Sequence, residues 1–351
     1  MECIGYPINT TIDYRPVIES LRVPLNNVGD PVESACPFPN TRRLEKSVID
    51  LFGAYMGLYP RDIWGFVTCG GTESNIQALS IARDLYPGAP LYYSEQSHYS
   101  ISKAARLLRM ETVVVPACKA TGVMNVTALG SLLPKSRSQP VIIVPTLGTT
   151  FHGGIDDINA IGDLLEGRPN YVHCDAAFFG GMLPFIEDVN MASVMGGVHS
   201  ISISGHKFLG TPFPCSIFMA SASVFEFVKE MSTYVDVVGG TDYMMGGSRS
   251  GHAPIFLNHA LKTVGRSALS EQVADCLSNA EHLVEKARKL GIHAYRANRL
   301  SPIVVFPRLH PDVRTKWGLA CQGKQCHVVV MPQTTREMLG MFLMDVAVRI
   351  P

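Results

Sequence analysis

The sequence carries no excess of charge of either sign and no long apolar run. Among its 351 residues, 30 Lys and Arg balance 30 Asp and Glu, and like charges are not clustered. This balance argues against a protein that binds nucleic acids or anionic membranes. The apolar runs are strand-sized, and the N-terminus has no basic segment followed by an apolar one, so we expect neither a transmembrane helix nor a signal peptide. We therefore expect a cytoplasmic protein with small polar partners.

Paired cysteine motifs are also missing. The nine cysteines are an odd number, and none belongs to a CxxC pair. A chain of this size does not depend on disulfide staples, so we expect reduced thiols. Cys321 and Cys326 are five positions apart, but no second pair or suitably spaced histidine completes a zinc ligand set, and we predict no metal site.

Short apolar runs alternate with helical stretches from about residue 66 onward. This alternation predicts an α/β fold with a mostly parallel sheet covered by helices on both faces. Such sheets bind ligands at the carboxyl ends of their strands, so the residues that follow the strands are candidates for a site. The predicted strands are GFVT (65–68), LYYS (91–94), TVVVP (112–116), PVIIVP (140–145), YVHCD (171–175), SISIS (200–204) and CSIFMA (215–220).

The pattern changes near residue 250. Two helical stretches, the strands PIVVFP and HVVVMP and a last helix ending near Val348 predict a smaller α+β domain. The first 45 residues are rich in Pro, Asn and Gly and lack periodicity, which indicates an arm that lies on another surface. The predicted organisation is an arm at 1–45, a large domain at 46–250 and a small domain at 251–351.

Four positions after the predicted strands have unusual chemistry. The CGGTE turn at 69–73 is either an anion cradle at a helix start or ordinary helix punctuation, and it lacks the spacing of nucleotide loops. Asp175 either caps a helix or holds a protonated ring nitrogen. Lys207 is either a surface charge or an amine led into an apolar pocket, where it becomes a nucleophile toward carbonyls. His98 either bonds local backbone or stacks on an aromatic ligand.

Taken together, the four positions supply a phosphate cradle, a carboxylate for a pyridinium nitrogen, an amine for an aldehyde and a ring for stacking. Pyridoxal phosphate requires these four kinds of contact, and we predict it as the cofactor. Seven motifs in order and spacing then resemble the pyridoxal-phosphate-dependent group II amino-acid decarboxylases, in the serine and histidine decarboxylase branch. The motifs are GGTESN, YYSEQSHYSISKAARLL, TLGTT, VHCDAAFFGGMLPF, SISGHKFLGTPFPC, GSRSGHAPIF and HVVVMP.

The resemblance implies a fold-type-I PLP-dependent transferase fold, assembled as a homodimer with shared active sites. It implies that Lys207 binds the cofactor aldehyde covalently, that Asp175 pairs with the pyridine nitrogen and that His98 stacks on the ring. The further cofactor positions that it implies are Ala177 on the opposite ring face, Thr149 near the ring hydroxyl, Gly71, Thr72, Ser204 and His206 around the phosphate, and Ser248 reaching the phosphate from the neighbouring subunit.

The implied activity is that of a carboxy-lyase acting on an amino acid, with Lys207, His98 and Asp175 as the catalytic residues. The NNVGDP segment has Val28 and Pro31 where bacterial histidine enzymes are expected to carry Cys and Trp, so L-serine is favoured over L-histidine. Tyr6, Asn26 and Asn27 are the candidate substrate residues.

One segment departs from the family pattern. The relatives carry Val-Glu-Tyr before GSR, on a loop whose tyrosine is implicated in protonating the substrate carbon, whereas this chain reads Val235-Asp236-Val237. Three outcomes stay open: an active decarboxylase that uses another acid such as His98, an aldehyde synthase or transaminase on the same cofactor, or a catalytically silent homologue kept as a binding or regulatory dimer.

Overall fold

A seven-stranded sheet forms the centre of the computed structural model, which describes residues 3–32 and 35–349. Its strand order is β2-β8-β7-β6-β5-β3-β4, and β8 runs antiparallel to both neighbours while the other pairs are parallel. The predicted, mostly parallel α/β sheet is thereby confirmed. The strands are β1 (Asn26–Val28), β2 (Ile63–Thr68), β3 (Leu91–Ser94), β4 (Thr112–Val115), β5 (Val141–Val144), β6 (Asn170–Asp175), β7 (Ser200–Ser204), β8 (Ser216–Ser221), β9 (Thr233–Val235), β10 (Gly240–Asp242), β11 (Ser248–Ser250), β12 (Ile303–Pro307), β13 (Ala320–Gln322) and β14 (Gln325–Val329).

Helices cover both faces of this sheet. The helices are α1 (Arg42–Tyr55), α2 (Gly71–Leu85), α3 (Tyr99–Leu107), α4 (Val126–Leu132), α5 (Ile158–Leu165), α6 (Met191–Val194), α7 (Ala222–Met231), α8 (Ala253–Asn258), α9 (Gly265–Lys289), α10 (Pro311–Lys316) and α11 (Arg336–Ala347). Short 3-10 helices occur at Arg15–Arg22, Pro60–Asp62, Phe179–Gly181 and Leu183–Phe185, and a π-helical turn at His259–Val264 joins α8 to α9. In the described ranges, no helix is both long enough and apolar enough to cross a bilayer.

Burial on both faces explains why the central strands read as continuous apolar runs. All four residues of β5 are buried. Ile142 and Val144 pack in a cluster with side chains of α2 and α3, whereas Val141 and Ile143 pack with side chains of α4 and α5 on the other face. Alternate residues of a strand point to opposite faces, so a strand covered on both sides needs apolar residues throughout.

The smaller domain is built on the antiparallel sheet β12-β14-β13. Helix α9 joins the two domains, because Leu269 and Val273 pack in the core of the large sheet while Leu283 and Ala287 pack in the core of the small one. The confirmed part is a large α/β body with a smaller C-terminal sheet domain. The boundaries at 45/46 and 250/251 stay predictions.

The N-terminal arm bridges both domains. Ile4 extends the small sheet, since its amide donates to Trp317 O at 3.0 Å and its carbonyl accepts from Val329 N at 2.7 Å. Farther along, Asn9 N donates to Lys207 O at 3.2 Å, and Tyr14 OH donates to Leu209 O at 2.5 Å. The arm therefore lies against the segment that follows β7.

A buried ion pair ties the region after the arm to the sheet. Glu45 of α1 lies 3.1 Å from the Arg249 guanidinium, and neither side chain is exposed (0%). The same carboxylate accepts from Asn27 Nδ2 at 2.9 Å and from Val67 N at 2.7 Å. The guanidinium also lies over the Phe66 ring, 5.1 Å from its centroid. These contacts hold the β1–β11 ribbon against α1 and β2.

Replacing Glu45 by Ala is expected to lower the free energy of unfolding by about 3–5 kcal/mol, because the buried Arg249 charge then loses its counter-ion. The matched control is Glu19→Ala, which removes an exposed pair with Arg22 (3.1 Å) and is expected to cost less than about 1 kcal/mol. Urea unfolding of both variants measures the difference. Equal costs for the two substitutions would contradict the assignment of Glu45 as a structural anchor.

Candidate active site

A cavity of about 980 Å³ opens at the carboxyl ends of β3, β5, β6 and β7. The arm residues 5–7 form part of its wall, the glycine turn before α2 forms another part, and residues of the small sheet close a third side. Most of the residues predicted for the cofactor and substrate line this one cavity. They are Tyr6, Gly71, Thr72, His98, Asp175, Ala177, Ser204, His206 and Lys207.

Lys207 follows β7 at the turn that begins with Gly205. Its side chain is half-buried in the cavity wall, and burial lowers the pKa of the amine, while the nearby Asp175 charge acts in the opposite direction. A cavity-facing amine with a lowered pKa spends more time neutral than a surface lysine does. Lys207 therefore has the character of a nucleophile toward a carbonyl group.

Asp175 ends β6 and is only 3% exposed. Its Oδ2 accepts from Asn75 Nδ2 at 3.0 Å, and its Oδ1 accepts from Ala177 N at 3.2 Å. Both donors are neutral, and among the described residues no Lys or Arg side chain lies within ion-pair distance of the carboxylate. A buried carboxylate is stabilised by a cationic partner, so the protonated ring nitrogen of pyridoxal phosphate fits this position.

His98 bonds local backbone and also lines the cavity. It is the N-cap of α3, where Nδ1 accepts from Ser100 N at 3.3 Å, and its ring also lines the cavity. Burial lowers the pKa of the ring, and the Asp175 charge opposes this effect. A neutral, flat imidazole on the cavity wall fits a stacking partner for an aromatic ring.

The glycine turn fits an anion. Gly70 has φ +151°, in a region that favours glycine, and no side chain caps the start of the 15-residue helix α2. Gly71 lies beside β7, because a Cβ added there would come within 3.2 Å of Ser204 Oγ. The free N–H groups of a helix start bind phosphate favourably. The cavity thus contains the amine, carboxylate, ring and anion cradle that pyridoxal phosphate needs.

Four predicted residues do not line this cavity. Thr149 is fully buried and its Oγ1 accepts from Gly154 N at 2.9 Å, while Thr150 lines the wall instead. The β1–β11 ribbon holds the other three away from the cavity of the same chain. Asn27 is held by Glu45 Oε2 and Thr41 N, at 2.9 and 2.8 Å, and Asn26 Nδ2 donates to Ser248 Oγ at 3.1 Å.

Several cavity residues were not among the predicted ones. Asn75 belongs to the GGTESN motif and lies four residues after Gly71, so the helical repeat would have placed it on the same face of α2. Glu95 and Thr146 follow β3 and β5, where the strand-end rule applies. Gln322 and His327 come from the small sheet, and only the packing of the two domains brings them to the cavity.

Comparisons with known proteins identify this arrangement. A family model described as the pyridoxal-dependent decarboxylase conserved domain matches residues 72–308, more than half of the 351. The chain belongs to the pyridoxal-dependent decarboxylase family. The resemblance found in the motifs is therefore confirmed, and the protein is a carboxy-lyase that uses pyridoxal phosphate.

Relatives of this decarboxylase include serine decarboxylase 3 of Oryza sativa subsp. japonica, which is 40% identical over 97% of this chain and 76% of the relative. The histidine decarboxylase of Vibrio campbellii is 35% identical over 94% of this chain and 85% of the relative. Among solved structures, L-methionine decarboxylase of Streptomyces sp. 590 superposes with a TM-score of 0.87 at 24% identity, covering 99% of this chain and 91% of that chain. This last similarity confirms the fold.

The buried ring of His173 predicts an acid-sensitive fold. His173 lies two residues before Asp175, and burial lowers its pKa from 6.5 to about 4. The unfolded chain therefore binds one more proton than the folded chain between these pH values, so stability falls as pH decreases through that window. Between pH 7 and pH 5 this residue is expected to lower the free energy of unfolding by roughly 2 kcal/mol.

Urea unfolding at pH 7 and pH 5 measures this effect against His173→Gln, which carries no titrating ring. Asp156, whose pKa burial raises to about 6, titrates in both proteins, and its contribution cancels in the difference. An identical pH dependence in the two proteins would show that His173 does not titrate as assigned.

Proposed function

We propose that this decarboxylase converts L-serine to ethanolamine and carbon dioxide. The observation that carries the proposal is the higher identity to the rice serine decarboxylases, at 40%, 38% and 37%, than to the histidine decarboxylases, at 34–36%. Val28 and Pro31 around Gly29-Asp30 agree with this choice. L-Histidine is the next candidate substrate.

The predicted site residues that line the cavity have the following roles in this proposal. Bound pyridoxal phosphate supplies an electron sink for the pair that the departing carboxylate leaves at the substrate Cα. Lys207 would hold the cofactor through its aldehyde carbon and would give up that place to the substrate amine. Asp175 keeps the proton on the ring nitrogen, which preserves the electron-withdrawing character of the ring. His98 stacks on one face of the ring and is the candidate acid that returns a proton to Cα.

The remaining contacts hold the cofactor and the substrate. The amides of Gly71 and Thr72 at the start of α2 bind the phosphate, with Ser204 and His206 beside them. Ala177 packs against the ring face opposite His98. Tyr6, which is 52% exposed at the cavity wall, contacts the substrate from the arm.

The assembly that we propose is a homodimer in the cytoplasm. Ser248 supports a shared site, because it is exposed on the β1–β11 ribbon and lies outside the cavity of its own chain. In a dimer it would reach the phosphate of the neighbouring subunit. Asn26 and Asn27, on the same ribbon, would then lie near the partner's cavity.

A second outcome on the same cofactor is favoured by one observation. Val237 replaces the loop tyrosine of the relatives and is 75% exposed, and its neighbour Tyr234 is 62% exposed. Neither residue lines the cavity of its own chain. If proton return to Cα is slow, dioxygen would take up the electron pair instead, and with one water the products would be an aldehyde, ammonia and hydrogen peroxide.

L-Serine is expected to yield ethanolamine and carbon dioxide faster than any other member of a panel of the twenty amino acids. The measurement is mass identification of the amine, with Lys207→Ala as the inactive control. That control should also lose the absorbance of cofactor bound covalently to the lysine through its aldehyde. Formation of histamine would identify L-histidine as the substrate instead of L-serine. Carbon dioxide release no greater than that of Lys207→Ala would indicate a catalytically silent homologue.

Val237→Tyr is expected to raise kcat for amine formation by at least about tenfold and to lower hydrogen peroxide release, because it restores a hydroxyl donor on the loop. The matched control is Val237→Phe, which adds the ring without the hydroxyl. Rates of amine and peroxide formation measure both effects. The same rates for the Tyr and Phe variants would exclude a proton-donating role for this loop position.

A further inference from the structure

One buried amide connects the two residues proposed to contact the cofactor ring. Asn75 of α2 is 1% exposed. Its Nδ2 donates to Asp175 Oδ2 at 3.0 Å and to Ser100 Oγ at 2.9 Å, and the Ser100 hydroxyl lies 2.8 Å from His98 Nδ1. Both hydrogens of the amide nitrogen are therefore donated. One goes to Asp175, and the other goes to Ser100, which contacts His98.

The orientation of this amide is fixed by its neighbours. An ionised Asp175 only accepts hydrogen bonds, so Nδ2 of Asn75 faces it and Oδ1 points the other way. Oδ1 accepts from Ser202 Oγ at 2.8 Å and lies 2.9 Å from His173 Nε2. His173 Nε2 must therefore carry a proton, and all four hydrogen-bonding positions of Asn75 are filled.

The buried histidine continues the same order of donors. Because burial keeps His173 neutral and its proton is on Nε2, its Nδ1 accepts from Ser200 Oγ at 2.9 Å. Ser200 Oγ in turn accepts from Tyr171 OH at 2.9 Å. Each hydroxyl has one hydrogen, so the chain from Tyr171 to Asn75 runs in one direction.

The order of donors also fixes the tautomer of His98. Ser100 Oγ accepts from Asn75, so its own hydrogen is free to donate to His98 Nδ1. The Ser100 backbone N–H points to the same nitrogen at 3.3 Å and can only donate. With Nδ1 accepting twice, the single proton of the neutral ring lies on Nε2.

We propose that Asn75 is a positioning residue whose amide holds the Asp175 carboxylate and fixes His98 as the tautomer with its proton on Nε2. The proposal rests on the proposed function in assigning cofactor contacts to Asp175 and His98. In this arrangement Nε2–H of His98 is the donor left for the substrate. Oδ1 of Asp175, which accepts from Ala177 N, keeps a second lone pair for the ring nitrogen. One amide thus orients both the carboxylate that holds the ring nitrogen and the imidazole that is the candidate proton donor.

The first test measures the tautomers in the wild-type protein. Cofactor-free protein labelled with ¹⁵N-histidine is recorded by ¹H–¹⁵N multiple-bond correlation at pH 8, where neutral rings dominate, with His98→Gln used to assign the signals. We expect a protonated Nε2 and an unprotonated Nδ1 for both His98 and His173. A protonated Nδ1 on His98 would overturn the proposal, whether or not the enzyme is active on any amino acid.

The second test replaces the amide by an isosteric carboxylate in Asn75→Asp. Two carboxylates 3.0 Å apart share a proton, so Asp175 loses charge and its hold on the ring nitrogen weakens. We expect the Kd for pyridoxal phosphate to rise about tenfold or more. A carboxylate oxygen in place of Nδ2 accepts from the Ser100 hydroxyl, so His98 Nδ1 loses that donor. We therefore expect part of the His98 ring population to carry its proton on Nδ1.

The matched control is Ser202→Ala, which removes one donor to Oδ1 of the same amide and leaves both Nδ2 contacts intact. We expect its Kd for pyridoxal phosphate to stay within about twofold of the wild-type value and the proton of His98 to stay on Nε2. Circular dichroism checks the fold of both variants. Equal changes of the Kd and of the His98 tautomer in Asn75→Asp and Ser202→Ala would show that Asn75 has only a structural role. Loss of serine decarboxylation with the expected tautomers would instead count against the proposed function alone.

Discussion

The carboxylate of Asp175 is the group on which the arrangement of the site depends. A charge at the end of a buried strand is stable only with donors around it. The structure provides Asn75 and the Ala177 amide on the protein side and leaves the cavity side to a ligand. The burial that creates this requirement also lowers the pKa values of Lys207 and His98. A single physical cause, exclusion of water at the carboxyl edge of the sheet, therefore prepares the acceptor, the nucleophile and the ring.

The sequence predicts those parts of the molecule that are determined locally. SISIS and LYYS occupy the predicted positions of β7 and β3, because a short run of β-branched, aromatic and small residues that ends at turn residues indicates a strand. The ribbons β1–β11 and β9–β10 were not predicted, since three-residue strands have no period to detect and the first ribbon pairs segments that are far apart in the chain. Sequence patterns within a short segment do not indicate pairings of this kind.

The same distinction separates the correctly placed site residues from the others. Lys207 and Asp175 follow strands directly, so topology alone brings them to one edge. Asn27 is as polar as a substrate contact, but Glu45 and Thr41 use its amide inside its own chain. Thr149 and Thr150 are neighbours of the same type, but a bond from Gly154 N holds the Thr149 hydroxyl in the protein interior, and Thr150 lines the cavity. The orientation of Asn75 likewise depends on partners from three other segments of the chain.

The return of the N-terminal arm determines when the site is completed during synthesis. The bond from Asn9 Nδ2 to Phe208 O joins residues 199 positions apart. The backbone bonds of Ile4 require Trp317 and Val329, which are synthesised much later. Contacts between residues so far apart in the sequence form late, because closing the long intervening loop costs entropy before any contact is gained. The arm residues are therefore synthesised before their partners but reach their native places after them. Until then Lys207 lacks its cover, so the nascent chain completes its cofactor site only after the small sheet has been made.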